Sequence, residues 1–221
     1  MFKLTLPLLA ITALSGCASI TSEPALFNGT NLDGWYAFDD KQGKLEQAED
    51  RFTVENGMIR LFGKSKAYLA SVKSYDEFEL SLEYKWNLDE NFARISNKKN
   101  SGIMYLFPSD TPDMFWPKGI QFQVKEGSSG DFIMLHNTTV KINGKSSEPG
   151  KSVVLKHFSD ASNPLGEWNQ VDIKVKNGQI TQKLNGTVVN QATDANVSSG
   201  KILLQFEGYP IDFKNLVIKR L

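Results

Sequence analysis

Val171-Asp-Ile-Lys-Val-Lys-Asn-Gly-Gln-Ile-Thr-Gln-Lys-Leu-Asn-Gly-Thr-Val-Val189 carries the clearest structural signal in the chain. Apolar Val171, Ile173 and Val175 alternate with Asp172, Lys174 and Lys176, the period of two that belongs to a half-buried strand. Asn177-Gly178 and Asn185-Gly186 interrupt the pattern, and both residue types tolerate the positive φ of a tight type I′ turn. The stretch predicts a three-stranded meander with one wet face. Asn-Gly recurs at 28–29, 56–57 and 143–144. The segment 78–86 alternates likewise and puts Phe78, Leu80, Leu82, Tyr84 and Trp86 on one side. Further strands are expected at 51–54, 58–62, 103–106, 120–124, 132–135, 201–206 and 211–219. No window of eleven or more residues keeps a helical period. About ten antiparallel strands cannot stay one flat sheet, so an all-β sandwich of two antiparallel sheets, a jelly roll, is expected. Trp35, Trp86 and Trp168 are assigned to its core.

The chain has 221 residues, with 25 basic and 25 acidic side chains. That length fits one large domain with a core that needs no disulfide or structural metal. A balanced charge offers no field for a phosphate backbone, which argues against nucleic acid as a partner. Residues 1–16 read as a secretory signal: Lys3, an apolar run from Leu4 to Leu14, then small residues. The run is too short to span a bilayer, which takes about 20 apolar residues. Leu14-Ser15-Gly16-Cys17 resembles the lipobox of bacterial lipoproteins, and Cys17 is the only cysteine of the chain. That resemblance implies acylation of Cys17 and a membrane anchor. With Ala18 and Ser19 following rather than an aspartate, it implies the outer membrane of a Gram-negative cell. Losing Lys3 with the signal leaves 24 basic side chains against 25 acidic. Residues 17–24 form a tether, and 25–221 form the domain.

Two long irregular segments, 87–100 and 107–118, interrupt the strand pattern, and long loops on a β scaffold are where binding usually resides. The second holds Pro108, Pro112, Pro117 and the pair Phe115-Trp116.

Several stretches, in order, resemble the 3-keto-disaccharide hydrolase domain family, secreted bacterial proteins with a concanavalin A-like jelly-roll fold. They are Leu26-Phe27-Asn28-Gly29-Thr30-Asn31-Leu32-Asp33-Gly34-Trp35, Val54-Glu55-Asn56-Gly57-Met58-Ile59, the segment 75–84, and Asn100-Ser101-Gly102-Ile103. Trp116-Pro117-Lys118-Gly119-Ile120-Gln121-Phe122-Gln123, Gly130-Asp131-Phe132, Gly166-Glu167-Trp168-Asn169 and Gln205-Phe206-Glu207-Gly208-Tyr209-Pro210 continue the match. The resemblance implies action on sugars oxidised at carbon 3, as a 1,2-lyase, a hydratase or a net hydrolase. A ketone at C3 acidifies the C2 hydrogen, so one base, a group that steadies the enolate and a departing C1 substituent suffice. Gln121 stands where the family usually has a glutamate, and Ile103-Met104-Tyr105-Leu106 lacks the basic residue that often follows Asn-Ser-Gly. A lectin-like, non-catalytic sugar binder on the same fold is therefore the alternative.

Gln121 and Gln123 lie two apart on one strand and share a face. Because Ile120, Phe122 and Val124 take the other face, the glutamines are read as sugar ligands in a pocket. Asp131 is either a base or a turn-capping carboxylate, and Glu207 is a second acid or a loop hydrogen-bond acceptor. Lys125, beside Glu126, could steady an enolate or be a solvated strand-end charge. His136, in the same strand neighbourhood as Asp131, is placed to reach that cleft, whereas His157 reads as an incidental surface residue. Trp116 and Phe115 either stack on a pyranose face or anchor their loop. Asn100 offers an amide to the ligand or shapes a strand start. Two isolated histidines are too few for a metal site, and no metal or cofactor is expected.

Overall fold

The computed structural model describes residues 25–221. The signal (1–16), the tether (17–24) and Cys17 lie outside the described residues. Seventeen strands build two antiparallel sheets, against the ten or so expected, and one 3-10 turn (Ala48–Asp50) is the only helical element among the described residues. Sheet A runs β12 (Ser152–Leu155), β9 (Phe132–Leu135), β8 (Gly119–Lys125), β7 (Asn100–Phe107), β16 (Lys201–Phe206), β5 (Ala67–Ser71), β1 (Trp35–Asp39), β2 (Gly43–Leu45). Sheet B runs β11 (Lys145–Ser146), β10 (Lys141–Ile142), β15 (Thr187–Thr193), β14 (Gln179–Leu184), β13 (Asn169–Lys176), β6 (Phe78–Trp86), β17 (Ile211–Arg220), β4 (Met58–Leu61), β3 (Thr53–Glu55). This is a jelly-roll sandwich.

The alternation read from the sequence sets which face is dry. Phe78, Leu80, Leu82 and Tyr84 of β6 and Val171 and Ile173 of β13 are all buried in the inter-sheet core. Sheet A contributes Ile120, Phe122 and Val124, with Ile103, Leu204 and Phe206, to the same core. A side chain such as Phe122, fully buried, contributes on the order of 2–3 kcal/mol of transfer free energy. Trp35 and Trp86 are buried, but Trp168 is not a core residue. Its ring is half-buried at the surface, with the ammonium groups of Lys214 and Lys85 at 4.0 and 4.9 Å from its centroid.

At four of the five Asn-Gly pairs both residues have positive φ, as at Asn177 (49°) and Gly178 (71°), and these pairs close hairpins. Asn28-Gly29 differs. There the Asn28 side chain accepts from the backbone N–H of Thr30 and Asn31, so the pair forms a local turn, not a hairpin.

Sheet A also has a substantially buried outer face. Tyr36, Tyr68, Ala70, Met104, Phe107, Ile133, Leu135 and Leu203 form a second apolar cluster there, separate from the inter-sheet core. The β7–β8 loop, residues 108–118, folds over this face. Asp113 Oδ1 accepts a hydrogen bond from Tyr36 Oη at 2.7 Å and another from Tyr68 Oη, while Lys201 Nζ donates to Tyr36 Oη at 3.1 Å.

Candidate functional site

The register of three adjacent strands gathers the polar groups of sheet A's outer face. Gly102 and Met104 of β7 pair with Gln123 and Gln121 of β8. Leu203 of β16 pairs with Met104, so Gln205 comes beside Gly102 and Glu207, one residue past β16, comes beside Asn100. Gly208 keeps that corner tight. Its φ is 128°, and a Cβ there would lie 2.8 Å from Ile95 Cγ1 in the 87–100 segment.

A cleft of about 810 Å³ opens over this patch, large enough for a small sugar. Asn100, Trp116, Gln121, Gln123, His136 and Glu207 all line it, together with apolar Met114, Ile133 and Leu135 and charged Lys66, Asp40 and Lys151. Asn100 Nδ2 donates to Glu207 Oε2 at 2.6 Å, Gln123 Nε2 to Asn100 Oδ1 at 3.2 Å, and Gln121 Nε2 to Gln123 Oε1 at 2.6 Å. Burial pushes the Glu207 carboxyl above the ordinary carboxylate range. Donors on Trp116 and Asn100 and the ammonium groups of Lys66 and Lys125 act in the opposite sense without reversing it. The Trp116 ring is 42% exposed and forms a wall of the cleft, with Phe115 buried edge-to-face against it at 4.9 Å. Lys66 Nζ stands 4.6 Å from the Trp116 centroid, and His136 holds the loop through Nε2 and the Trp116 carbonyl oxygen at 2.7 Å.

Two of the sequence-derived site residues lie elsewhere. Asp131 does not line the cleft. Its Oδ1 accepts from the His157 backbone N–H at 2.9 Å and meets His157 Nδ1 at 2.6 Å, while Oδ2 accepts from Lys156 Nζ at 2.9 Å. Burial by itself would raise this carboxyl, but those donors hold it below the usual range. Outside the cleft and committed to these donors, Asp131 acts as a clasp for the residues that directly follow β12. His157 is correspondingly no incidental surface residue. Lys125 is exposed at the end of β8 and reaches Glu207 only through space.

Reading the sequence alone missed Lys66 and Asp40, and the clamp of Asp113 on Tyr36 and Tyr68. Each comes from a strand end or loop distant in the chain from Gln121, and no local pattern marks them. Burial raises the Tyr36 and Tyr68 phenols well above the ordinary tyrosine range, so both stay neutral donors to Asp113. Among the described residues no group of three or more His, Cys, Asp or Glu side chains is arranged to hold a metal ion.

Taken together, the cleft offers one poised carboxyl, a run of amides, a cation and an aromatic wall, a set suited to a sugar ring. Solved structures of similar fold include proteins named for carbohydrate. A Parabacteroides distasonis protein provisionally named a glycosyl hydrolase superposes with a TM-score of 0.61 at 22% identity, covering 89% of this chain and 92% of its own. Carbohydrate-binding module CBM66 from Bacillus subtilis gives 0.51 at 16% identity, over 89% of this chain and 99% of its own. The β-glucanase of Bacillus licheniformis gives 0.52 at 14%, over 88% and 94%. At such identities the likeness is one of fold. No curated protein sequence matches the chain. The family pattern of the 3-keto-alpha-glucoside-1,2-lyase-like domain does match, over residues 23–219, so this carbohydrate-related chain belongs to that family.

Proposed function

We propose that the domain acts on 3-keto-glycosides, with Glu207 as the proton acceptor. Glu207 takes the proton from C2, and the C–H electron pair delocalises onto the C3 oxygen as an enolate. Lys66 provides positive charge across the cleft for that oxygen. Collapse of the enolate restores the ketone, forms the C1–C2 double bond and expels the C1 substituent, which leaves with a proton returned from Glu207 or water. Addition of water to the enone makes the net reaction a hydrolysis. Trp116 offers a face for the ring, and Gln121 and Gln123 offer amides to its hydroxyls.

What supports this reading is Glu207: a carboxyl lining the cleft, oriented by Asn100 and pushed up by burial toward the pH at which a general base works best. Elimination of this kind needs a single acid, unlike ordinary glycoside hydrolysis with its pair of carboxylates. The purified protein incubated with a 3-keto-glucoside should generate enone absorbance. Glu207→Gln should cut that rate by about 10²–10⁴-fold while calorimetric affinity changes only a few-fold. Binding by the wild type with no turnover would defeat the enzymatic reading. It would favour a sugar-binding module, the reading to which a neutral Gln121 in place of the family's glutamate points.

We also propose that the domain is tethered to the cell envelope through Cys17, on the strength of Leu14-Ser15-Gly16-Cys17. Cys17→Ser should abolish incorporation of a labelled fatty acid. Undiminished labelling would remove the anchor.

A further inference from the structure

An amide has a donor end and an acceptor end, so a run of amides has a direction. In the cleft all three links run the same way: Gln121 Nε2 to Gln123 Oε1, Gln123 Nε2 to Asn100 Oδ1, Asn100 Nδ2 to Glu207 Oε2. An ionised carboxylate only accepts. Glu207 therefore fixes the Asn100 amide with its NH₂ forward, which fixes Gln123, which in turn requires a donor at residue 121. Gln121 is 4% exposed and has little room to turn away. It lies over Gly102 beside Gln205: a Cβ on Gly102 would sit 2.5 Å from both Gln121 Cδ and Gln205 Oε1.

We propose that Gln121, Gln123 and Asn100 form a one-way amide relay in which Gln121 is a positioning residue, the neutral donor that keeps Asn100 aimed to donate to Glu207. With a carboxylate at 121 the relay would run backwards. Gln123 would turn its NH₂ to residue 121, Asn100 would turn its NH₂ to Gln123, and the Asn100 oxygen would face Glu207. Two oxygens at that separation are compatible only when one carries a proton, so Glu207 would be held in its acid form. The loss of a carboxylate at 121 and the ionisable carboxyl at 207 are on this view two ends of one arrangement.

The inference takes Glu207 as the base proposed above, but its test reads a titration rather than turnover, so the two can fail separately. The ammonium groups that act on Glu207 are those of Lys66 and Lys125, and Asp40, His136 and Lys151 also line the cleft. None is altered by the variants used. Carbon-13 NMR of the side-chain carboxyls, with Glu207 assigned by its absence in Glu207→Gln, gives its midpoint in the wild type, Gln121→Glu, Gln123→Met and the double variant. Gln121→Glu should raise the Glu207 midpoint by about one unit or more. Gln123→Met breaks the relay but leaves the new charge in place, so in that background the rise should fall to less than half. An equal rise with and without Gln123 would reduce the effect to charge acting through space and overturn the relay, as would no rise at all. Gln123→Glu, at a partly exposed position, reverses Asn100 in the same way. It serves if Gln121→Glu does not fold: the rise it causes should fall to less than half when Asn100→Ala removes the link to Glu207, and an equal rise with and without Asn100, or none, overturns the relay.

Discussion

Gly102 shows how much a single missing side chain can decide. Its backbone is ordinary in φ, so its role is space and not conformational freedom. Gln121 and Gln205 are both packed into that space, and Gln205 is fully buried. Gly102→Ala should therefore cost about 1–3 kcal/mol in a urea unfolding measurement, an overpacking penalty, and should weaken sugar binding as Gln121 is pushed aside. A variant as stable as the wild type would mean that the two glutamines have more freedom than their burial allows. At this scale the sequence was partly readable. The two-residue spacing of Gln121 and Gln123 against Ile120, Phe122 and Val124 was enough to aim both amides at one face, where the cleft lies. Asp131 was misread because the donors that claim it, Lys156 and His157, come from a segment twenty-five residues further on. Lys66 gave no signal at all, since a lysine in a polar turn looks the same whether or not an aromatic wall folds down on it.

The β7–β8 loop is the element on which the cleft wall depends. It is pinned by Asp113 to two tyrosines of sheet A and by the Trp116 carbonyl to His136. Asp113→Ala would leave two substantially buried phenol hydroxyls without their acceptor, at a cost of about 1–3 kcal/mol. The loop should then be cut faster in limited proteolysis, and affinity for a sugar should fall while the core melts as one unit. Unchanged cleavage would show that Phe115 packing alone holds it. Strand legibility followed burial. β6 and β13, wet on one face, announced themselves by alternation, whereas β5 (Ala-Tyr-Leu-Ala-Ser) was not foreseen because it is buried on both faces under this loop. The short pairs β2, β10 and β11 carry too few residues for any period to show.

For the whole molecule, the buried carboxyls set the response to acid. Asp39 and Asp131 are held below their usual range: burial opposes this, but Ser65, the Lys41 backbone N–H and Arg51 act on the first, Lys156 and His157 on the second. A carboxyl depressed in the folded state adds stability at pH values above its unfolded value of about 3.9, and that stability is lost as pH falls toward the folded value. Glu207 and Asp212, raised by burial, behave oppositely: the folded state takes up their protons first and gains from mild acid. Urea midpoints should thus hold or rise slightly as pH drops from 7 toward 5, then fall steeply below about pH 4. In Asp131→Asn that lower limb should be shallower. An identical slope would remove Asp131 from the acid response.

The strand order has one more consequence, for the time at which the cleft comes into being. β16 lies between β5 and β7, and β17 lies between β6 and β4. Both strands belong to the last twenty-one residues. Until that tail is in place, sheet A is two unjoined pieces, and the β3–β4 hairpin has no neighbour in sheet B. Glu207 sits on the connection between the two keystone strands, so the proposed base arrives with the segment that closes both sheets. Chains whose pairings are this distant in sequence fold slowly, on the order of milliseconds to seconds. Glu207 and the strand that joins the two halves of sheet A are thus put in place by one and the same segment.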